Sequence, residues 1–258
     1  MHHHDLGNPH RSHSQVCVWR GGVVTWHPFW DEHWLDALSL KARTFSGESL
    51  QVAGEELVLL PNGAVFWPSR SALWLSDLHL GKAAHFRKHG VPIGSEPTLA
   101  TLHRLRLCLQ RLRPDRVWLL GDLFHSDINR EWEPFAGLCE EFTDKEWILV
   151  RGNHDGIPDL LLRESNITQL DRMDTPPFTF THDPDDLKAD FGYHVCGHVH
   201  PGIRLEGAGR QRLRVRCFHF SDRQVVLPAF GDFTGMHVIQ PADNDRVFAI
   251  TGEAVIEV

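Results

Sequence analysis

The chain is poor in several residue types that usually announce a function. Its 258 residues include one Tyr, three Met and five Cys. The cysteines, at 17, 108, 139, 196 and 217, are odd in number and form no CxxC pair. That excludes a disulfide framework and fits reduced thiols. No apolar run approaches the roughly 20 residues of a membrane-spanning helix. Residues 1–40 carry His, Trp and charge in place of the apolar segment of a secretory leader. The expectation is a cytoplasmic protein. Positive charge is also short: the net charge is −8 and the pI near 6.1. This excludes a large uniform basic surface but leaves room for a local one. Only five of the 26 cationic residues are Lys, and the rest are Arg. Arginine is the better bidentate phosphate ligand, although a GC-rich coding sequence gives the same bias.

Hydrophobic residues make up 41% of the chain, enough for one good-sized core. Residues 1–49 hold Trp19, Trp26, Trp30 and Trp34 without a period of 2 or 3.6. They read as an N-terminal extension of unassigned role, either a partly disordered lead or an addition that the activity does not need. Residues 50–258 read as the folded domain. There, Glu56–Leu60 and Ala64–Trp67 flank a Pro61-Asn62-Gly63 turn and predict two strands. Ala72–Leu75, Val117–Leu120 and Trp147–Val150 are short continuous apolar runs, the signature of strands buried on both faces. Ser95 caps a helix whose face is Leu99, Leu102, Leu105, Leu109 and Leu112, and Pro114 ends it. Helices are also expected at 131–142 and 158–163, and strands at 178–181 and 193–196. From residue 213 to the end only strands are read. The early alternation of strand and helix, followed by strands alone, predicts an α/β core joined to an antiparallel sheet.

Five motifs punctuate the ends of these apolar runs. They are Asp77-Leu78-His79, Gly121-Asp122-Leu123-Phe124-His125, Gly152-Asn153-His154-Asp155, Thr181-His182 and Gly197-His198-Val199-His200. Open α/β sheets place their sites at the carboxyl ends of strands. Carboxylate, imidazole and amide carbonyl donors suit Mn, Fe or Zn better than Mg alone or Cu. Asp77 and His79 stand at i and i+2 and can grip one ion. Asp122 can bridge two ions with its two oxygens. Asn153 offers a neutral carbonyl, His182 completes a second ion, and His198 and His200 can diverge to separate ions. Gly121 and Gly152 clear space for the backbone. Two ions about 3.5–4 Å apart can clamp a phosphoryl group and generate a bound hydroxide for in-line attack. His154 is left near the leaving oxygen, with Asp155 or Asp122 available to orient it. His125 is an additional histidine that supports a ligand or meets substrate.

This ordered set resembles the calcineurin-like metallophosphoesterase superfamily. Further runs, among them Asp77–Lys82, Phe86–Pro92, Gly121–Ser126 and Leu227–Gly235, are similar to one branch, the bacterial ligase-associated DNA damage response endonucleases (PdeM). The resemblance spans residues 50–258. It implies two packed mixed β-sheets flanked by helices, a four-layer αββα sandwich. It implies two divalent metal ions, usually Mn. Asp77, His79, Asp122 and His200 would hold the first ion, and Asp122, Asn153, His182 and His198 the second. His154 would assist phosphate binding or the leaving group. By resemblance the partners would be DNA and repair proteins such as a DNA ligase or helicase.

The residues themselves leave the substrate open. Lys82, Arg87 and Lys88 follow the first motif, and Arg130 and Arg151 flank two others, where phosphates could be met. Arg210, Arg212, Arg214 and Arg216 alternate with Gln211, Leu213, Val215 and Cys217. Such a row could track a nucleic-acid backbone or guard an exposed strand. The expectation is a metal-dependent phosphodiesterase acting on DNA. A small-nucleotide phosphodiesterase or phosphatase is the alternative, and a metal-stabilised module recruiting repair proteins is the reading from another class.

Overall fold

The structure, a computed structural model, describes residues 47–82, 96–124, 132–207 and 211–258. The chain separates into two units, Met1–Arg43 and Thr44–Val258. All described residues belong to the second unit, and the expected extension at 1–49 lies almost wholly outside them.

Two sheets form the domain. The first has seven strands in sequence order: β1 (Glu48–Val52), β2 (Glu55–Leu59), β3 (Val65–Trp67), β4 (Ala72–Leu75), β5 (Arg116–Leu120), β6 (Glu146–Val150) and β7 (Ile167–Leu170). The first four pair antiparallel, and β4 through β7 pair parallel. The crossovers between parallel strands carry helices α1 (Glu96–Leu112), α2 (Trp132–Glu141) and α3 (Asp159–Glu164). The second sheet has nine strands: β8 (Met173–Thr175), β9 (Phe178–Phe180), β10 (Tyr193–Cys196), β11 (Pro201–Glu206), β12 (Arg212–Phe220), β13 (Gln224–Val226), β14 (His237–Val238), β15 (Arg246–Ile250) and β16 (Val255–Glu257). In it β10 runs parallel to both β9 and β13.

The parallel strands are apolar throughout because both their faces are covered. In β4, Leu73 and Leu75 join a core with Leu102, Leu105 and Leu109 of α1, whereas Ala72 and Trp74 point into a second core against Phe178, Phe180 and Phe218. Among the described residues all three α-helices belong to the first core, so they lie on the face of the first sheet remote from the second. The core between the sheets is rich in aromatics. Trp74 and Trp118 stack with centroids 6.2 Å apart, and Phe180 meets each of them edge-on at 5.0 Å.

The sequence misses β1, β7, β8 and β11. β11 opens on Pro201-Gly202, which reads as a breaker. The arginine row also differs in detail. Leu213 is 58% exposed, whereas Arg216 is partly buried with its Nη1 donating to the Ala229 carbonyl at 2.7 Å. The alternation of the row with apolar residues predicts that Leu213, Val215 and Cys217 pack inward; Leu213 does not, because the first half of β12 pairs only with β11.

Trp74 is fully buried, and its indole Nε1 has no partner among the described residues. Trp74→Ala is expected to cost about 3–5 kcal/mol in urea unfolding. Trp74→Phe should cost clearly less, since it keeps a ring while removing an unsatisfied N–H.

Candidate metal centre

Each motif leaves a strand and turns sharply. Five residues of these turns, Asp77, His79, Asp122, His198 and His200, have positive φ between 46° and 66°. Only four other described non-glycine residues do so: Ala53, Ser71, Arg113 and Asn166. Such backbone costs on the order of 1–3 kcal/mol per residue and persists where surrounding contacts enforce it. Here the contacts are main-chain bonds between the turns. Asp77 N donates to Gly121 O (3.1 Å), His79 N to Asp122 O (2.9 Å) and Gly197 N to His182 O (3.0 Å). The two sheets are stitched at the same place, because His198 N donates to Asp77 Oδ2 at 3.0 Å.

Glycine permits the crowding at two positions. A Cβ on Gly121 would strike the His182 ring, and one on Gly152 would strike the backbone nitrogen and Oδ1 of Asp122.

The side chains gather in two groups, Asp77 with His79 and His200, and Asp122 with His182 and His198. In the first, His79 Nε2 lies 3.0 Å from His200 Nε2, and His200 Nε2 lies 3.2 Å from Asp77 Oδ1. In the second, His182 Nε2 lies 3.4 Å from Asp122 Oδ1 and 3.2 Å from His198 Nδ1. Asp122 also faces the first group, with Oδ2 3.8 Å from His79 Nε2. Asp77 Oδ1 is buried without a hydrogen-bond donor among the described residues. A buried carboxylate oxygen without a donor, surrounded by imidazole nitrogens, is the donor set of a cation site. Both groups fit a divalent ion of the Mn, Fe or Zn class.

The electrostatics agree. Burial drives the His79 imidazole down to about 3, against the pull of Asp77, so it is neutral. Burial opposes charge on His182 too, but the hydrogen bond to Asp122 and the charges of Asp77 and Asp122 outweigh it and push the ring up to about 9. Burial likewise opposes charge on Asp122, yet His182 and the His154 amide hold its carboxyl well below the usual carboxylate range. His182 Nδ1 bonds the Leu120 carbonyl at 2.8 Å, so Nδ1 carries a proton and Nε2 points into the group.

Asn153 and His154 are exposed on the turn after β6. His154 N donates to Asp122 Oδ1 at 3.0 Å, and its ring lies 6.2 Å from that of His79. Asp155 does different work from orienting a ring. Its Oδ1 accepts from Leu123 N (2.8 Å) and Phe124 N (3.3 Å), and its Oδ2 from Gly152 N (2.8 Å). It therefore ties the Asp122 turn to the Gly152 turn. Lys82 lines a small recess with Leu78, His79, Pro97, Thr98, Thr101 and Phe233. Burial lowers its ammonium, against the charge of Asp122. His125, Arg87, Lys88, Arg130 and Arg210 lie outside the described residues. Arg151 pairs with Asp171 at 3.3 Å on the surface.

Sequence reasoning missed three supports. Ser76 Oγ donates to Asp77 Oδ2 (2.6 Å). Buried His194 bonds Thr181 Oγ1 (2.7 Å), just ahead of His182. Asp183 Oδ2 stands 3.9 Å from His198 Nε2. Adjacency to Asp77 and His182 is the signal that could have found Ser76 and Asp183.

Residues 71–200, about half the chain, match the family model described as calcineurin-like phosphoesterase. No curated protein matches the chain. Among solved structures, Pseudomonas putida nuclease MPE is 28% identical with a TM-score of 0.70, and the match covers 83% of this chain and 100% of that one. The phosphoesterase Yfce from E. coli is 13% identical with a TM-score of 0.40, over 72% of this chain and 97% of that one. From its matched motifs and the two donor groups they build, this chain belongs to the calcineurin-like phosphoesterase family.

Proposed function

We propose that the protein is a dinuclear-metal-dependent phosphodiesterase that cleaves DNA, an endonuclease working in a repair context. The observation that carries the reading is the pair of neighbouring donor groups, with Asp122 of the second facing His79 of the first. The likeness to a nuclease along that protein's whole length supports DNA as substrate. On this reading Asp77, His79, Asp122 and His200 hold one ion, and Asp122, Asn153, His182 and His198 the other, with Mn the preferred metal. A DNA ligase or helicase is the partner class that a repair role would bring.

A pair of cations held there would polarise the phosphoryl group and lower the pKa of the attacking water. The chain's own residues do the rest. Asp122, fixed by the His154 amide, keeps the two groups at one spacing. His154, exposed beside His79, donates a ring proton to the departing ester oxygen. Lys82, at the recess next to His79, offers its ammonium to a non-bridging phosphate oxygen. The second reading is a small-nucleotide phosphodiesterase that works through the same two donor groups.

The test is Mn-dependent cleavage of single-stranded and nicked DNA beside a small diester and a monoester. DNA cleavage by the wild type that disappears in Asp122→Asn is expected. Turnover of only the small esters would replace the nuclease reading with the small-nucleotide one. His154→Ala should keep its metal and lose about 10²–10⁴ in kcat; an unchanged kcat would remove His154 from the chemistry. A further expectation concerns pH. The ring of His182, pushed up to about 9 without metal, must lose a proton for the ion to bind. Apparent Mn affinity should therefore rise by up to about tenfold per pH unit toward 9 and level off above it. Competition against a chromophoric chelator from pH 6.5 upward reads this directly, and a flat profile would contradict the ligand role of His182.

A further inference from the structure

The β11–β12 hairpin starts at the metal centre, since Pro201 follows His200 directly and His237 N bonds the His200 carbonyl at 3.0 Å. Directly paired residues of an antiparallel ladder share a face. One face of the hairpin therefore carries Gly202 with Arg216, Arg204 with Arg214, and Glu206 with Arg212. Two of its arginines are accounted for. Arg216 bonds the Ala229 carbonyl, and Arg212 Nε pairs with Glu206 Oε1 at 3.3 Å.

Arg204 and Arg214 are different. They stand opposite each other, both exposed, and neither has an ion pair among the described residues. Like charges directly opposite on a ladder destabilise it. The sole hairpin carboxylate on that face, Glu206, is already taken by Arg212.

The Arg face is also the one turned toward the site. Arg216, on this face, holds Ala229, and the next residues bind the first metal turn: Phe230 N to Ser76 O (2.8 Å) and Gly231 N to Asp77 O (3.1 Å). Arg104 of α1 fastens the same segment through the Asp232 carboxylate and the Phe230 carbonyl. Four residues of strand at about 3.3 Å each put Arg204 roughly 13 Å along the chain from His200. A nucleic-acid strand advances about 3.4 Å per nucleotide, so the pair lies within roughly four nucleotides of the cleaved bond.

We infer that Arg204 and Arg214 form a phosphate clamp on this hairpin, gripping the DNA backbone a few nucleotides away from the scissile phosphate. The inference rests on the DNA reading above. It adds binding, register on the strand and salt dependence to a site whose metal groups supply only the chemistry. A small diester does not reach the clamp.

The experiment uses the full-length, Mn-loaded protein and end-labelled oligonucleotides, single-stranded and nicked, at several salt concentrations, with bis-p-nitrophenyl phosphate as the short substrate. In the R204Q/R214Q double variant KM for DNA should rise about tenfold or more. The slope of log(kcat/KM) against log salt should flatten by about 2, one per arginine removed. Turnover of the short diester should stay as in the wild type. R204K/R214K should recover most of the slope, because charge rather than shape sets it. If wild-type protein cleaves DNA but the double variant keeps its KM and slope, the inference fails and the arginines only guard an exposed strand edge. If the wild type does not cleave DNA, the DNA reading itself falls and takes the clamp with it; the wild-type arm alone decides that.

Discussion

The Asp122 carboxylate is the group on which the site turns. One oxygen faces His182 and the other faces His79, so the two donor groups are not independent. The His154 amide fixes its orientation, and the turn that carries it is tied to the neighbouring turn by Asp155. Remove that carboxylate and the first group keeps Asp77, His79 and His200 and the second His182 and His198, but no carboxylate stands between them.

The surrounding fold makes this arrangement tolerable without metal. Parallel strands β4, β5 and β6 of one sheet and β9 and β10 of the other all end at the same seam. Five residues with left-handed backbone, a buried carboxylate oxygen without a donor among the described residues, and facing imidazole nitrogens all carry a cost. The two aromatic and aliphatic cores behind the seam offset it, and a bound cation would satisfy the donors outright. Local strain at a functional site, supported by packing elsewhere, is the expected division of labour.

Much of this was legible in the chain. The strands that lead into the motifs are buried on both faces, so their apolar runs are continuous and each stops just short of Asp77, Asp122 or Asn153. Turn glycines marked where the backbone had to approach a side chain of the candidate site, as Gly121 does against His182. Other features depend on tertiary context. β8 spans three residues and β11 opens on proline, so neither leaves a periodic trace. The period of two put Arg212, Arg214 and Arg216 on one face, but the gradient from exposed to partly buried along that face follows from where the hairpin leaves the sheet. Ser76 and His194 act through buried hydrogen bonds that no pattern announces.

The central claim is that two cation sites share one carboxylate. Crystals of the protein soaked in Mn, with anomalous scattering recorded for the wild type and for His200→Ala, test it most directly. The account requires two manganese peaks flanking Asp122 in the wild type, about 3.5–4 Å apart, with the peak beside Asp77 and His79 weakened or lost in the variant. A single peak in the wild type, or two peaks of which neither touches Asp122, would contradict it.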